Sequence, residues 1–117
     1  MSTTSIGRHG EEQALRYLKE KGYKLLAKNY RSGPHEIDLI LLDGETIVFA
    51  EVKTRSSLRF GTPGEAVTAQ KRRFLTAAAE AYLAEHGLLD APARFDVLEV
   101  YRSDGHVRQI ENAFPGS

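Results

Sequence analysis

The chain has 117 residues, 41% of them hydrophobic and 27% charged, with 16 basic and 16 acidic side chains and no cysteine. That length suits one domain over residues 1–117, with about the first five expected to be flexible, and the composition is globular rather than disordered. Without cysteine there are no disulfides and no thiolate metal sites. No apolar run approaches the ~18 residues of a membrane span, and the polar stretch Met1–Arg8 lacks the apolar core of a signal sequence. The expectation is a cytoplasmic protein with no membrane partner.

In chain order, residues Ile6 to Lys21 carry a helical pattern, with Ala14, Leu15 and Leu18 on one stripe. Gly22 follows the last periodic residue, where a glycine commonly ends a helix. Tyr23–Ala27 reads as a first strand leading to Asn29 and Tyr30, and Ser32-Gly33-Pro34 breaks the chain. Glu36–Leu42 and Thr46–Thr54 read as strands joined by Asp43-Gly44, a hairpin signal because glycine accepts positive φ. Alternation puts Glu36, Asp38, Ile40 and Leu42 on one face, with Ile37, Leu39 and Leu41 on the other. In the next strand Ile47, Phe49, Glu51 and Lys53 oppose Val48, Ala50 and Val52. Both strands are apolar on both faces, as in the middle of a covered sheet, yet each one ends in charge.

Thr62-Pro63-Gly64-Glu65 matches a capping box, so a helical turn is expected there, and Thr68 is a second N-cap candidate. The main helix runs to about His86, with Phe74, Leu75, Ala78, Ala79, Tyr82 and Leu83 as its apolar stripe and Gly87 as its stop. Tyr17, Phe74 and Tyr82 are expected in the core. Arg94–Tyr101 reads as a further strand, Ser103-Asp104-Gly105 as a turn and Val107–Ile110 as an edge strand. The order αβββαβ(β) implies an α/β sandwich with helices on a mixed central sheet.

Asp38 and Glu51, on adjacent strands, are the residues with chemical promise. Phosphodiester hydrolysis needs a more acidic water and a neutralised leaving group, which carboxylate-held divalent ions supply. Mg²⁺ takes oxygen ligands and keeps several waters, so one to three carboxylates suffice. Lys53, two residues after Glu51, would project beside them, to position or deprotonate the attacking water or to steady developing negative charge. The plainer alternative is a pair of surface charges, worth a few tenths to ~1 kcal/mol. What favours a site is placement, since these charges interrupt apolar strands and buried carboxylates need partners or metal. From Lys53 to Arg73 there are six basic residues against Glu65 alone. That segment suits a phosphate backbone, or simply a solvated loop and helix face.

The strings HEIDLI, VFAEVKTR, GTPGEAV and RFDVLEV, with the opening GRHGEEQALRYL, resemble the bacterial YraN-like family over roughly Gly7 to Phe114. That family is similar to the PD-(D/E)xK restriction-endonuclease-like nucleases and, among them, to archaeal Holliday-junction resolvases. The resemblance implies a restriction-endonuclease-like αβββαβ core and a Mg²⁺- or Mn²⁺-dependent hydrolase acting on DNA, on branched or recombination intermediates. Asp38 and Glu51 would be metal-binding catalytic carboxylates, Lys53 the lysine of the E-x-K half, and Glu11 a further ligand from the first helix. Glu36 becomes an additional ligand or an acceptor behind them, while Arg55, Gln70 and Lys71 fall where nucleic acid would be contacted. A resolvase-like activity further implies a homodimer, because two symmetric incisions need two sites. His35 stands where the family string has glycine, a residue that would permit positive φ; it is more often a loop residue than a ligand or base. Two rival readings fit the same residues: a nucleic-acid-binding module that does not cut, and a protein-interaction adaptor whose charges are structural.

Overall fold

The computed structural model describes residues 3–55 and 68–114, with side chains from residue 9 onward. Helix α1 (Thr3–Glu20) leads into β1 (Lys24–Ser32), β2 (His35–Asp43) and β3 (Thr46–Arg55); α2 (Ala69–Glu85) then connects to β4 (Ala93–Tyr101) and β5 (Val107–Phe114). The strands lie side by side in the order β1-β2-β3-β4-β5. The β3–β4 pair is parallel and the other three are antiparallel. This is the expected mixed sheet, and it is consistent with a restriction-endonuclease-like αβββαβ core. No helix among the described residues is long and apolar enough to cross a membrane. The capping box at Thr62–Glu65 lies outside the described residues.

Both helices stop by the same local device. Gly22, at φ +96, lets its own N–H reach Lys19 O and the N–H of Tyr23 reach Leu18 O. Gly87, at φ +66, does the same with Ala84 O, while Leu88 N–H reaches Leu83 O. Each pair of bonds satisfies carbonyls that a helix end otherwise leaves open, and the left-handed φ is why glycine sits there. At the other end of α2, Thr68 is the N-cap, its hydroxyl accepting from Lys71 N–H at 3.1 Å.

Each helix covers one face of the sheet. Ala14 and Leu18 of α1 pack with Leu39, Leu41, Val48, Ala50, Leu98 and Val100. Leu75, Ala78, Ala79 and Tyr82 of α2 pack with Ile37, Ile40, Ile47, Phe49, Phe95 and Val97. The faces of β3 follow strict alternation, but those of β2 do not. Ile37 lies with Ile40 on the α2 side instead of opposing it, so the expected phase fails around Asp38. Phe74 also departs from expectation, keeping 39% of its surface exposed where the helical stripe predicts burial. Strand β5 extends to Phe114, past the expected end at Ile110, because Phe114 is buried and stacks on Phe95 at 4.8 Å.

Helix α1 lies close against β3 at Gly10, where a Cβ would sit 2.5 Å from Thr54 Oγ1. Gly10→Ala would gain helix propensity of about 1 kcal/mol, but crowding of this kind costs about 1–3 kcal/mol. The substitution is expected to destabilise the protein in urea titrations and to become neutral or stabilising beside Thr54→Ala. An equal loss in both backgrounds would show that the contact with Thr54 is not the cause.

Candidate functional site

The hairpin strands β2 and β3 pair from Asp43↔Thr46 as far as Leu39↔Ala50 and no further. Past that point β2 stays with β1, through Ile37↔Tyr30 to His35↔Ser32, while β3 stays with β4 as far as Arg55↔Tyr101. The sheet therefore forks, and Asp38 and Glu51 are the first residues on the two branches. The N–H of Val52 loses its cross-strand carbonyl at the fork, and Asp38 Oδ2 accepts it instead at 2.8 Å. A backbone donor withdrawn from water needs such a partner, so Asp38 links the two branches as well as occupying the fork.

Glu51 is buried, with 7% exposure. Its Oε1 has Lys53 Nζ at 3.8 Å and Lys71 Nζ, from the first turn of α2, at 3.9 Å. Its Oε2 is buried with no hydrogen-bond partner. An unpaired carboxylate oxygen inside a protein is costly, and either a bound cation or a proton shared with Asp38 would relieve it. Burial first, and then the negative charge of Glu51, push the Asp38 carboxyl up to about 7, with the Val52 N–H acting in the opposite sense. Two carboxyl groups confined together in this way favour a bound cation or a shared proton.

Glu11 approaches from α1. Its Oε1 accepts from Asn29 Nδ2 at 2.9 Å, and its pKa is raised, chiefly by burial, with Asp38 and Glu36 adding to the effect. Asn29 was not legible as a site residue. It lies in β1 between the paired positions Lys28↔Leu39 and Tyr30↔Ile37, level with Asp38, at φ +50. Asparagine is one of the few side chains that accept that conformation; an Asn inside a strand pattern was the available signal.

The remaining expected residues are distributed around this centre. Glu36 pairs with Arg31 across β1 and β2 at 3.3 Å, the arginine being largely exposed. Arg55 is held inside the protein by Glu99, its Nε 3.2 Å from an oxygen that is almost fully buried. Gln70 is exposed on α2 beside Lys71. His35 opens β2 without positive φ; Gly33, at φ +60, provides the turn before it. Among the described residues no three Asp, Glu or His side chains converge as a ready-made metal cluster. The fork thus offers a pair of carboxylates, with Glu11 bonded to Asn29 and Glu36 paired with Arg31 while both add negative charge near Asp38 or Glu11.

The model of the Uncharacterised protein family UPF0102 matches residues 10–100. A UPF0102 protein of Symbiobacterium thermophilum is 50% identical over 112 residues, spanning 93% of this chain and 95% of the relative. A Geobacter metallireducens protein of the same description is 48% identical, over 94% of this chain and 92% of its own length. One from Clostridioides difficile is 42% identical over 97% of this chain and all of its own.

Proposed function

The chain belongs to the UPF0102 family, the YraN-like proteins of the PD-(D/E)xK nuclease-like superfamily, and we propose that it is a metal-dependent endonuclease cutting DNA phosphodiester bonds. The observation that carries this reading is the fork. Two carboxylates lie on diverging strands, one with a bare buried oxygen, and two lysines stand over the other oxygen.

Asp38 and Glu51 would hold Mg²⁺ or Mn²⁺, whose oxygen preference and retained waters suit a two-carboxylate site. The ion would acidify a bound water and neutralise charge on the scissile phosphate. Lys53, 3.8 Å from Glu51, supplies a donor for the negative charge that develops at phosphorus, and Lys71 adds a second cation for the incoming phosphate. Asp38 must lose its proton before it can bind a cation, so its raised pKa makes metal affinity climb with pH. Glu11 and Glu36 would stand behind this pair, adding negative field. Branched or recombination intermediates in the cytoplasm are the proposed substrates, and paired incision of a four-way junction would require a two-fold dimer.

The test is to incubate purified protein with linear, flapped and four-way DNA in Mg²⁺ or Mn²⁺. Incision that needs the ion and is abolished by Asp38→Asn is expected. Absence of incision on every DNA, or incision that survives Asp38→Asn, overturns the catalytic reading. Salt-sensitive binding without turnover would instead identify a nucleic-acid-binding module.

A further inference from the structure

Phe74 sits on the apolar stripe of α2 yet keeps 39% of its surface in solvent; among the described residues only Leu26 and Leu89 are comparably exposed large hydrophobics. It is not isolated. The ring of His35 stacks on it, with centroids 4.4 Å apart and planes 25° from parallel. His35 belongs to a branch of the fork, and Phe74 to the helix whose Lys71 reaches it. His35 is three residues before Asp38 on the branch that leaves β3. Phe74 is three residues after Lys71, so it lies one turn along the same side of α2, and Lys71 reaches Glu51. The first turns of α2 also carry Gln70, Arg72 and Arg73.

We propose that the His35–Phe74 stack is a platform for an unpaired nucleobase, so that the DNA accepted has an unstacked nucleotide next to the bond at the fork. The inference rests on the nuclease reading of that fork and adds to it the kind of DNA taken. Proteins that grip single strands combine cationic side chains for the backbone with aromatic faces for the bases. A flat ring one helical turn from a lysine at the carboxylate pair provides both within one nucleotide's neighbourhood. Bases inside an intact duplex are already stacked on one another and cannot use the platform. A flap, a frayed end or a branch point can.

The experiment measures binding of the full-length protein in Ca²⁺ to a flapped duplex, to the same flap with abasic residues at the branch, and to a blunt duplex. Phe74→Ala is expected to weaken binding to the flap by about tenfold, the scale of one lost base stack, and binding to the blunt duplex by less than about twofold. Phe74→Trp should retain the parent affinity. The slope of affinity against salt should stay unchanged, because no phosphate contact is lost. Abasic residues should cost the parent a similar factor and add nothing to Phe74→Ala. Equal losses on flap and blunt DNA, or no loss, overturn the platform. If Phe74→Ala matches the parent on every DNA while incision remains dependent on Asp38, the platform fails and the nuclease reading stands. A parent that neither binds nor cuts any of the three overturns both.

Discussion

Replacing Asp38 with Asn is expected to make the protein more stable at pH 8 while abolishing metal-dependent cleavage. The Asp38 carboxyl has a pKa near 7 in the folded protein against an ordinary value of 3.8. Between those values the folded state keeps a proton that the unfolded chain releases, so stability falls as pH rises from about 4 to about 7. Above pH 7 the penalty is fully developed, and below pH 4 it is absent. Asparagine is neutral, nearly the same shape, and still accepts from Val52 N–H. Asp38→Asn should therefore gain on the order of 2–4 kcal/mol at pH 8 in metal-free buffer and little at pH 4. Urea titrations at the two pH values measure this difference. Divalent ion should raise the melting temperature of the parent and leave that of the variant unmoved, since binding stabilises only a state that offers the site. A variant no more stable than the parent at pH 8 would show that burial and the Glu51 charge do not together disfavour the ionised Asp38 carboxylate.

The second large effect lies in β4, the strand on the far side of β3 from β2. Asp96 is 1% exposed and accepts four bonds: from Arg94 Nε at 3.0 Å and Nη2 at 3.3 Å, from Gln109 at 2.9 Å, and from the Asn112 N–H at 3.0 Å. The Arg94 guanidinium also reaches Asp43 at 3.1 Å and the Tyr23 hydroxyl at 2.8 Å. Arg94 thereby ties β4 to the end of β2 and to the chain entering β1. Arg94→Ala strands a buried carboxylate without its counter-charge, which typically costs about 3–5 kcal/mol. Against a domain stability of about 5–15 kcal/mol, this should lower the urea midpoint sharply. Adding Asp96→Asn should recover part of the loss by removing the unpaired charge. A loss below about 1 kcal/mol for Arg94→Ala would mean that water replaces the guanidinium.

Several features could be read directly because they are set by neighbours in the chain. Gly22 and Gly87 stop their helices, Thr68 caps α2 and Asp43-Gly44 turns the hairpin through bonds spanning a few residues. Asp38, Glu51 and Lys53 stood out for a related reason, as charges interrupting strands otherwise rich in valine, isoleucine and phenylalanine. Alternation also placed Phe49, Glu51 and Lys53 together on the side where Lys71 meets Glu51.

What could not be read was any feature that depends on which strand keeps company with which. Alternation assumes that a strand continues to pair on both sides, but β2 parts from β3 at Asp38, and Ile37 then packs beside Ile40. Phe74 has a core pattern, yet the core ends before reaching it, and it stacks with His35 while staying 39% exposed. Arg55 looks free for phosphate until Glu99, 44 residues away, is brought to it by the parallel β3–β4 pairing. By itself, then, the sequence determined the order and type of the elements, the glycine stops of both helices and the identity of the two central carboxylates, all carried by short-range patterns of shape and polarity. Only the tertiary structure decided that these carboxylates face each other across a fork, since burial, repulsion and a bare acceptor arise from groups that meet only after the sheet has assembled.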